Sequence, residues 1–114
     1  MKKILITGAG GFIGSHLVDV AISRNYQVKA LAKYNSKNNW GWLENHNNKN
    51  LKIISGDITN ADMMNKLIKG HYAVIHLAAL IGIPYSYVAV ESYYETNVKG
   101  TMNILNSCKS NKTK

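Results

Sequence analysis

Apolar positions along the chain alternate between short unbroken runs and stretches with a helical repeat. Lys3-Ile4-Leu5-Ile6-Thr7 is a brief apolar run closed by glycines, the pattern of a strand buried on both faces. From Phe12 to Ser23 the period lengthens: Phe12, Ile13, Leu17, Val20 and Ala21 recur at helical spacing, and Asn25 supplies a stop. Gln27 to Ala32 predicts a second strand, with Val28, Ala30 and Ala32 on one face and Leu31 on the other. Lys33 to Asn50 is rich in Asn, Ser and Lys and reads as a long connection, with Trp40-Gly41-Trp42-Leu43 as a small apolar anchor. Leu51 to Ser55 predicts a third strand. Thr59-Asn60-Ala61-Asp62 then resembles a helix start, and that helix carries Met63, Met64, Leu67 and Ile68 before stopping at Gly70. Ala73 to Leu77 predicts a fourth strand. Beyond the loop at Ile83-Pro84, a helix from about Ser92 sets Tyr94, Val98, Met102, Leu105 and Cys108 on one stripe.

Strands that alternate with helices require a parallel sheet, because parallel neighbours need a crossover, and crossovers are right-handed. The expected class is α/β: a Rossmann-type parallel sheet of order 3-2-1-4, flanked by helices and incomplete on its C-terminal side. Residues 1–114 form one domain in this reading, the N-terminal portion of a dinucleotide-binding fold.

The segment with the most chemistry is Thr7-Gly8-Ala9-Gly10-Gly11-Phe12-Ile13-Gly14, which follows a strand and opens a helix. Gly8 permits a tight turn, Gly11 lets backbone N–H groups approach a pyrophosphate, and Gly14 allows close helix–strand packing. The helix N-terminus then presents partial positive charge to the phosphates. The form of the dinucleotide stays open between NAD and NADP. An acid after the second strand would bond the ribose 2′-hydroxyl, but that segment, Ala32-Lys33-Tyr34-Asn35-Ser36-Lys37, holds no carboxylate. Lys33 or Lys37 could instead meet a 2′-phosphate, or both could be solvated loop charges.

Charge changes this picture little. The formal net charge is +8, spread as +4, +2 and +2 over residues 1–34, 35–70 and 71–114. One cation of fourteen is arginine, and no docking motif accompanies the lysines, so no specific nucleic-acid partner is expected. The longest apolar stretch, Leu77 to Ile83, is seven residues against the roughly 20 that span a bilayer, so no membrane role is expected. A single cysteine, Cys108, leaves no intrachain disulfide and no thiolate cluster for a metal, and the expected location is the cytoplasm.

Four ordered segments carry a resemblance to the extended short-chain dehydrogenase/reductases, in particular the NAD-dependent epimerase/dehydratase group that acts on nucleotide sugars. They are Thr7 to Leu17, Gly56-Asp57-Ile58, Val74-Ile75-His76-Leu77-Ala78-Ala79, and Thr96-Asn97-Val98-Lys99-Gly100-Thr101-Met102-Asn103. Tyr34-Asn35-Ser36, Trp40 to Leu43 and Ile83 to Tyr87 add a likeness to N-acetylglucosamine 4,6-dehydratases of legionaminic-acid-type pathways, which are lyases. The resemblance implies a cofactor site of Gly8, Gly11, Phe12, Ile13, Gly14, Lys33, Asp57, Ile58, Ala78, Ala79 and Asn97. In that set Asp57 and Ile58 would border the adenine, and Ala78 and Ala79 would let cofactor lie over the fourth strand's end. Asn97 would shape the active-site floor, and the loop from Pro84 to Tyr87 would face nicotinamide and sugar. His76 reads as a structural strand-end histidine.

The family uses a Tyr-x-x-x-Lys pair, because a free phenol, with a pKa of about 10, is a poor base at neutral pH. None of the seven tyrosines here has a lysine four residues on. The resemblance therefore implies the N-terminal, cofactor-binding part of a nucleotide-sugar 4,6-dehydratase or epimerase, with no catalytic residue of its own and no metal. A nucleotide sugar would be a substrate only if a C-terminal half completed the enzyme. The alternative is a non-enzymatic dinucleotide-binding or sensor module that works with another protein. Self-association through the fourth strand's edge or the last helix is a further expectation.

Overall fold

The computed structural model describes residues 1–33, 48–81 and 83–114. The tyrosine- and tryptophan-bearing segment from Tyr34 to Leu43 lies outside them. Four parallel strands, β1 (Lys3–Thr7), β2 (Gln27–Ala32), β3 (Leu51–Ser55) and β4 (Ala73–His76), form one sheet in the order β3-β2-β1-β4. Ile4 pairs with Val28 on one side and with Ala73 on the other, and Val28 pairs in turn with Leu51. β1 is central and buried on both faces, as its unbroken apolar run predicts.

The strand period of two sends alternate residues to two cores. Ile4, Ile6, Val28, Ala30 and Ala32 pack with Val18 and Ala21 of helix α1 (Phe12–Ser23). Leu5 and Leu31 point the other way, where Met64 and Ile68 of α2 (Ala61–Ile68) and Ile104 of α5 (Thr101–Asn111) cover them. Full burial of one such side chain contributes about 1.5–3 kcal/mol, so these two layers hold the sheet between its helices. Two short helices, α3 (Ile83–Ser86) and α4 (Val90–Tyr93), follow β4. A π-helical turn over Tyr94–Gly100 joins α4 to α5.

Element ends follow local chemistry. Asn60 caps α2, its side chain accepting the Met63 N–H at 3.0 Å, and Gly70 leaves that helix at φ +85°. Asn25 terminates α1 at φ 65°. β4 stops at His76, one residue earlier than its apolar run, although the Leu77 N–H still donates to the Thr7 carbonyl at 3.3 Å.

Two helical stripes differ from the pattern reading. In α1 the buried residues are Gly14, Ser15, Val18 and Ala21, whereas Phe12 and Ile13 are 61% and 70% exposed. Small side chains take the inner face because the helix sits close against the sheet there. In the last helix Gly100, Ile104 and Ser107 face inward, and Tyr94, Val98, Met102 and Leu105 are exposed. Cys108 alone of the expected stripe packs against the core. On the outer side of β4, Val74 N–H donates to the Lys114 carbonyl at 2.7 Å and Lys114 N–H to that of Tyr72 at 3.4 Å. This is the bonding of a parallel neighbour, so the amino end of that edge is covered.

Candidate functional site

β1 leads outward to β2 on one side and has β4 on the other, so the strand order reverses between β1 and β4. In open parallel sheets such a reversal leaves a crevice at the carboxyl ends of the strands. A cleft of about 580 Å³ lies there. Its walls are the β1–α1 turn from Gly8 to Gly14, the ends of β2 and β3 at Leu31–Lys33 and Gly56–Ile58, and the segment Leu77–Ile81 after β4, with Thr96 on the remaining side.

The turn is built around two glycines that admit no side chain. Gly8 has φ +66°, and a Cβ there would lie 2.7 Å from the Ala78 nitrogen, against main chain that follows β4. A Cβ on Gly14 would lie 2.3 Å from the Gly8 carbonyl oxygen and 2.8 Å from Ala9 Cα. The turn is thus seated between the Leu77–Ala78 peptide and its own helix. Ala9 N–H donates to the Leu31 carbonyl at 3.2 Å, which ties the turn to β2. Gly11 stands at the N-cap of α1, and no side-chain hydrogen bond caps that helix, so its positive end opens into the cleft. Phe12 and Ile13 line the cleft as exposed apolar groups.

At the opposite wall Asp57 accepts the Thr59 N–H at 3.0 Å and pairs with the Lys33 ammonium at 3.1 Å. Burial pushes the Asp57 carboxyl up, but the Thr59 N–H and Lys33 together outweigh it and hold it below the usual carboxylate value. Lys33 remains 70% exposed, so the pair sits in water's reach. Ile58 borders the cleft from beneath: it is nearly fully buried, and its carbonyl accepts the Asn103 side-chain amide at 2.9 Å.

The wall after β4 is clamped at two points. Thr7 Oγ1 accepts the N–H groups of Leu77 and Ala78, at 3.0 and 3.1 Å. Asn97 binds both main-chain groups of Leu80: its Oδ1 accepts the N–H at 2.8 Å and its Nδ2 donates to the carbonyl at 2.9 Å. Asn97 therefore stands behind the wall rather than on the cleft surface. The other ten residues of the expected set all border the cleft.

Sequence reasoning did not single out Thr96, Gly56, Ala32 or the stretch Leu80–Ile81 as site residues. Ala32 and Leu77 could have been found from topology, since strand ends line such crevices. Thr96 reaches the cleft from the π-helical turn, which no local pattern announces. No tyrosine lines the cleft among the described residues. Tyr85 and Tyr87 are exposed, and Tyr93 donates its hydroxyl to the Ile81 carbonyl at 2.7 Å. Among the described residues the one phenol shifted down, Tyr72, meets Lys114 and Lys2 just before β4, at the other end of the sheet. Among the described residues no cluster of His, Cys, Asp or Glu could hold a metal ion.

The family model described as GDP-mannose 4,6 dehydratase matches residues 5–114. The chain belongs to this family. Its relatives include epimerases and dehydratases that act on nucleotide sugars. A UDP-N-acetyl-alpha-D-glucosaminuronate decarboxylase of Bacillus cytotoxicus is 34% identical over 114 residues, covering 99% of this chain and 35% of that protein. The solved UDP-N-acetylglucosamine 4-epimerase of Methanobrevibacter ruminantium superposes with a TM-score of 0.85 at 36% identity, over 99% of this chain and 36% of that one. A dTDP-glucose 4,6-dehydratase of Streptomyces venezuelae, solved with NAD bound, gives 0.82 at 28% identity, over 97% and 37%. The chain thus spans about a third of the length of these relatives. Among the described residues no helix is long and apolar enough to cross a membrane.

Proposed function

We propose that this chain binds NAD(P) in the cleft at the carboxyl ends of its strands, as the N-terminal part of a nucleotide-sugar epimerase/dehydratase. The observation that carries the reading is the glycine turn, seated so tightly that Gly8 and Gly14 admit no Cβ, opening an uncapped helix into a cleft of about 580 Å³. That volume is in the range of cofactor and ligand sites, about 300–1,000 Å³. The α1 N-terminus with Gly11 would hold the pyrophosphate, and Lys33, Asp57 and Ile58 the adenosine end. Ala78 and Ala79 leave room above the end of β4 for the remainder. Bound NAD(P) would supply a hydride acceptor. This chain's own residues would bind and orient the cofactor and exclude water from one of its faces.

The described cleft holds no phenol and the sequence no Tyr-x-x-x-Lys pair, so we assign these 114 residues cofactor binding without sugar turnover. The completed enzyme would be a 4,6-dehydratase, a lyase, or an epimerase; the family model's description supports the first and relatives such as the UDP-N-acetylglucosamine 4-epimerase the second. A single free cysteine suits a reducing compartment such as the cytoplasm.

The test is titration of the chain with NAD and with NADP, alongside Gly11→Val. Among the described residues a Cβ on Gly11 meets nothing nearer than 3.5 Å, so a side chain is tolerated at this cleft-lining position. Saturable binding should weaken at least about tenfold, or roughly 1.4 kcal/mol, with the melting curve little changed. Absence of saturable binding by the parent chain would overturn the reading. Turnover of a GDP- or UDP-linked N-acetylglucosamine by the chain alone would overturn the assignment of binding without catalysis.

A further inference from the structure

His76 ends β4 in register with Thr7, the last residue of β1. Its Nδ1 lies 2.7 Å from Thr7 Oγ1, and its Nε2 lies 3.0 Å from Thr101 Oγ1 at the start of α5. A hydroxyl has two lone pairs and one proton to give. The Thr7 hydroxyl accepts the Ala78 N–H and also the Leu77 N–H, which it shares with the Thr7 carbonyl, so its proton goes to His76 Nδ1. A neutral imidazole that accepts at Nδ1 carries its own proton on Nε2, and that proton is donated to Thr101. The tautomer follows from the hydrogen-bond count.

Protonation breaks this count. A proton added at Nδ1 turns that nitrogen into a donor, facing an oxygen that already accepts two N–H groups. The Thr7 hydroxyl must then give up a main-chain amide or turn away. Either movement loosens the Leu77–Ala78 peptide, leaving the Leu77 N–H its 3.3 Å bond to the Thr7 carbonyl, and this peptide is the wall that a Cβ on Gly8 would strike. Among the described residues the neighbours supply no charge that would oppose the change. β4 carries no other ionisable side chain, and β1 carries only Lys3, at its far end. On the helical side Glu95 and Lys99 pair with each other at 3.3 Å, and Lys109 follows two turns beyond Thr101. Burial alone shifts the imidazole, downward.

We propose that His76 is a positioning residue which, as its Nε2–H tautomer, locks the cleft wall to β1 and α5, and that its protonation unseats the wall and loosens whatever the cleft binds. The ligand part of this inference rests on the NAD(P) reading above; the wall part does not.

The test is nitrogen-15 NMR of the labelled 114-residue chain from pH 8 to 5, with NAD titrations at the same pH values. The imidazole signals should show a bare Nδ1 and a protonated Nε2 at pH 8. The Leu77 and Ala78 amide signals should move with the His76 midpoint. NAD binding should weaken below that midpoint, by at most about tenfold per pH unit for one linked proton. His76→Gln, which gains no proton in this range, should flatten the binding profile although His16 and Asp57 remain. Thr7→Val should uncouple the two amides from the His76 midpoint, and Thr7→Ser should restore the coupling. An Nδ1–H tautomer, amides indifferent to His76, or a profile that survives His76→Gln overturns the proposal. If NAD fails to bind at every pH while tautomer and amides behave as stated, the cofactor reading falls and the positioning role stands. Should His76→Gln fail to fold, the parent chain and the two Thr7 variants decide.

Discussion

Gly8 and Gly70 both hold a positive φ, +66° and +85°, but only Gly8 has a neighbour where its Cβ would be. Replacing each with alanine therefore separates backbone strain from steric contact. An L residue in this region costs about 1–2 kcal/mol, partly offset by roughly 0.4–1 kcal/mol from the stiffer unfolded chain. Gly70→Ala, with nothing within 4 Å, should thus lose only about 1 kcal/mol. Gly8→Ala carries the same strain and must also move a peptide. Its Cβ would meet the Ala78 nitrogen and Leu77 carbon at 2.7 Å, where ordinary contact begins near 3.4 Å. Those atoms are held by the two bonds to Thr7 Oγ1. Overpacking of this kind costs about 1–3 kcal/mol, so the two variants should differ by roughly 2 kcal/mol. Urea unfolding resolves that difference, since small domains have m of about 1–3 kcal/mol per molar and the midpoints would part by about 1 M. In the same samples, Gly8→Ala should lose NAD binding and Gly70→Ala should keep it. Equal stability within about 0.5 kcal/mol would mean that the wall is not seated on Gly8, and the reasoning fails.

Asn97→Ala removes both bonds to Leu80 and should cost about 1–3 kcal/mol, with faster hydrogen exchange at Leu80; unchanged exchange there would contradict the clamp. Asn97→Asp keeps the acceptor for the Leu80 N–H and loses the donor, so it should fall between the parent and alanine. Asp57 has its carboxyl depressed in the folded chain. Its contribution is present above the unfolded value, near 3.8, and fades as pH falls through the lower folded one. Because Lys33 is 70% exposed, Asp57→Asn should cost under about 1 kcal/mol at pH 7, and less at high salt. A loss well above that, insensitive to salt, would show an unscreened pair. We propose that copies of the chain associate through the exposed Tyr94, Val98, Met102 and Leu105 face, one of two surfaces the sequence suggests. Sedimentation should show a concentration-dependent dimer that Leu105→Lys converts to monomer, and a monomer at all concentrations would remove the proposal.

The sheet was legible because strand pattern and connection rules act locally. An unbroken run at Ile4–Ile6 and the pairing of Val28, Ala30 and Ala32 on one face with Leu31 on the other both call for two covered faces, and with right-handed crossovers order 3-2-1-4 is the natural winding. The glycine turn was legible for a similar reason: Gly8 and Gly14 are demanded by contacts within a few residues or by φ itself. Helix faces were less so. In α1 the inner face belongs to Gly14, Val18 and Ala21, because close approach selects small side chains, while the larger Phe12 and Ile13 stand at the cleft. Hydrophobicity alone favours the larger residues and so turns the stripe. In the last helix the π-helical turn over Tyr94–Gly100 shifts the phase, and residues spaced for one α-helix end on the outer side. The Thr7–His76–Thr101 chain was beyond local reading altogether, since its members stand 69 and 25 residues apart. Each of these residues has an ordinary local explanation: a strand end, a strand-end histidine, a helix start. The sheet register and the packing of α5 bring the three side chains together, and only the count of donors and acceptors then fixes where the proton sits. What pattern leaves undetermined is thus the part of the site in which a proton can act.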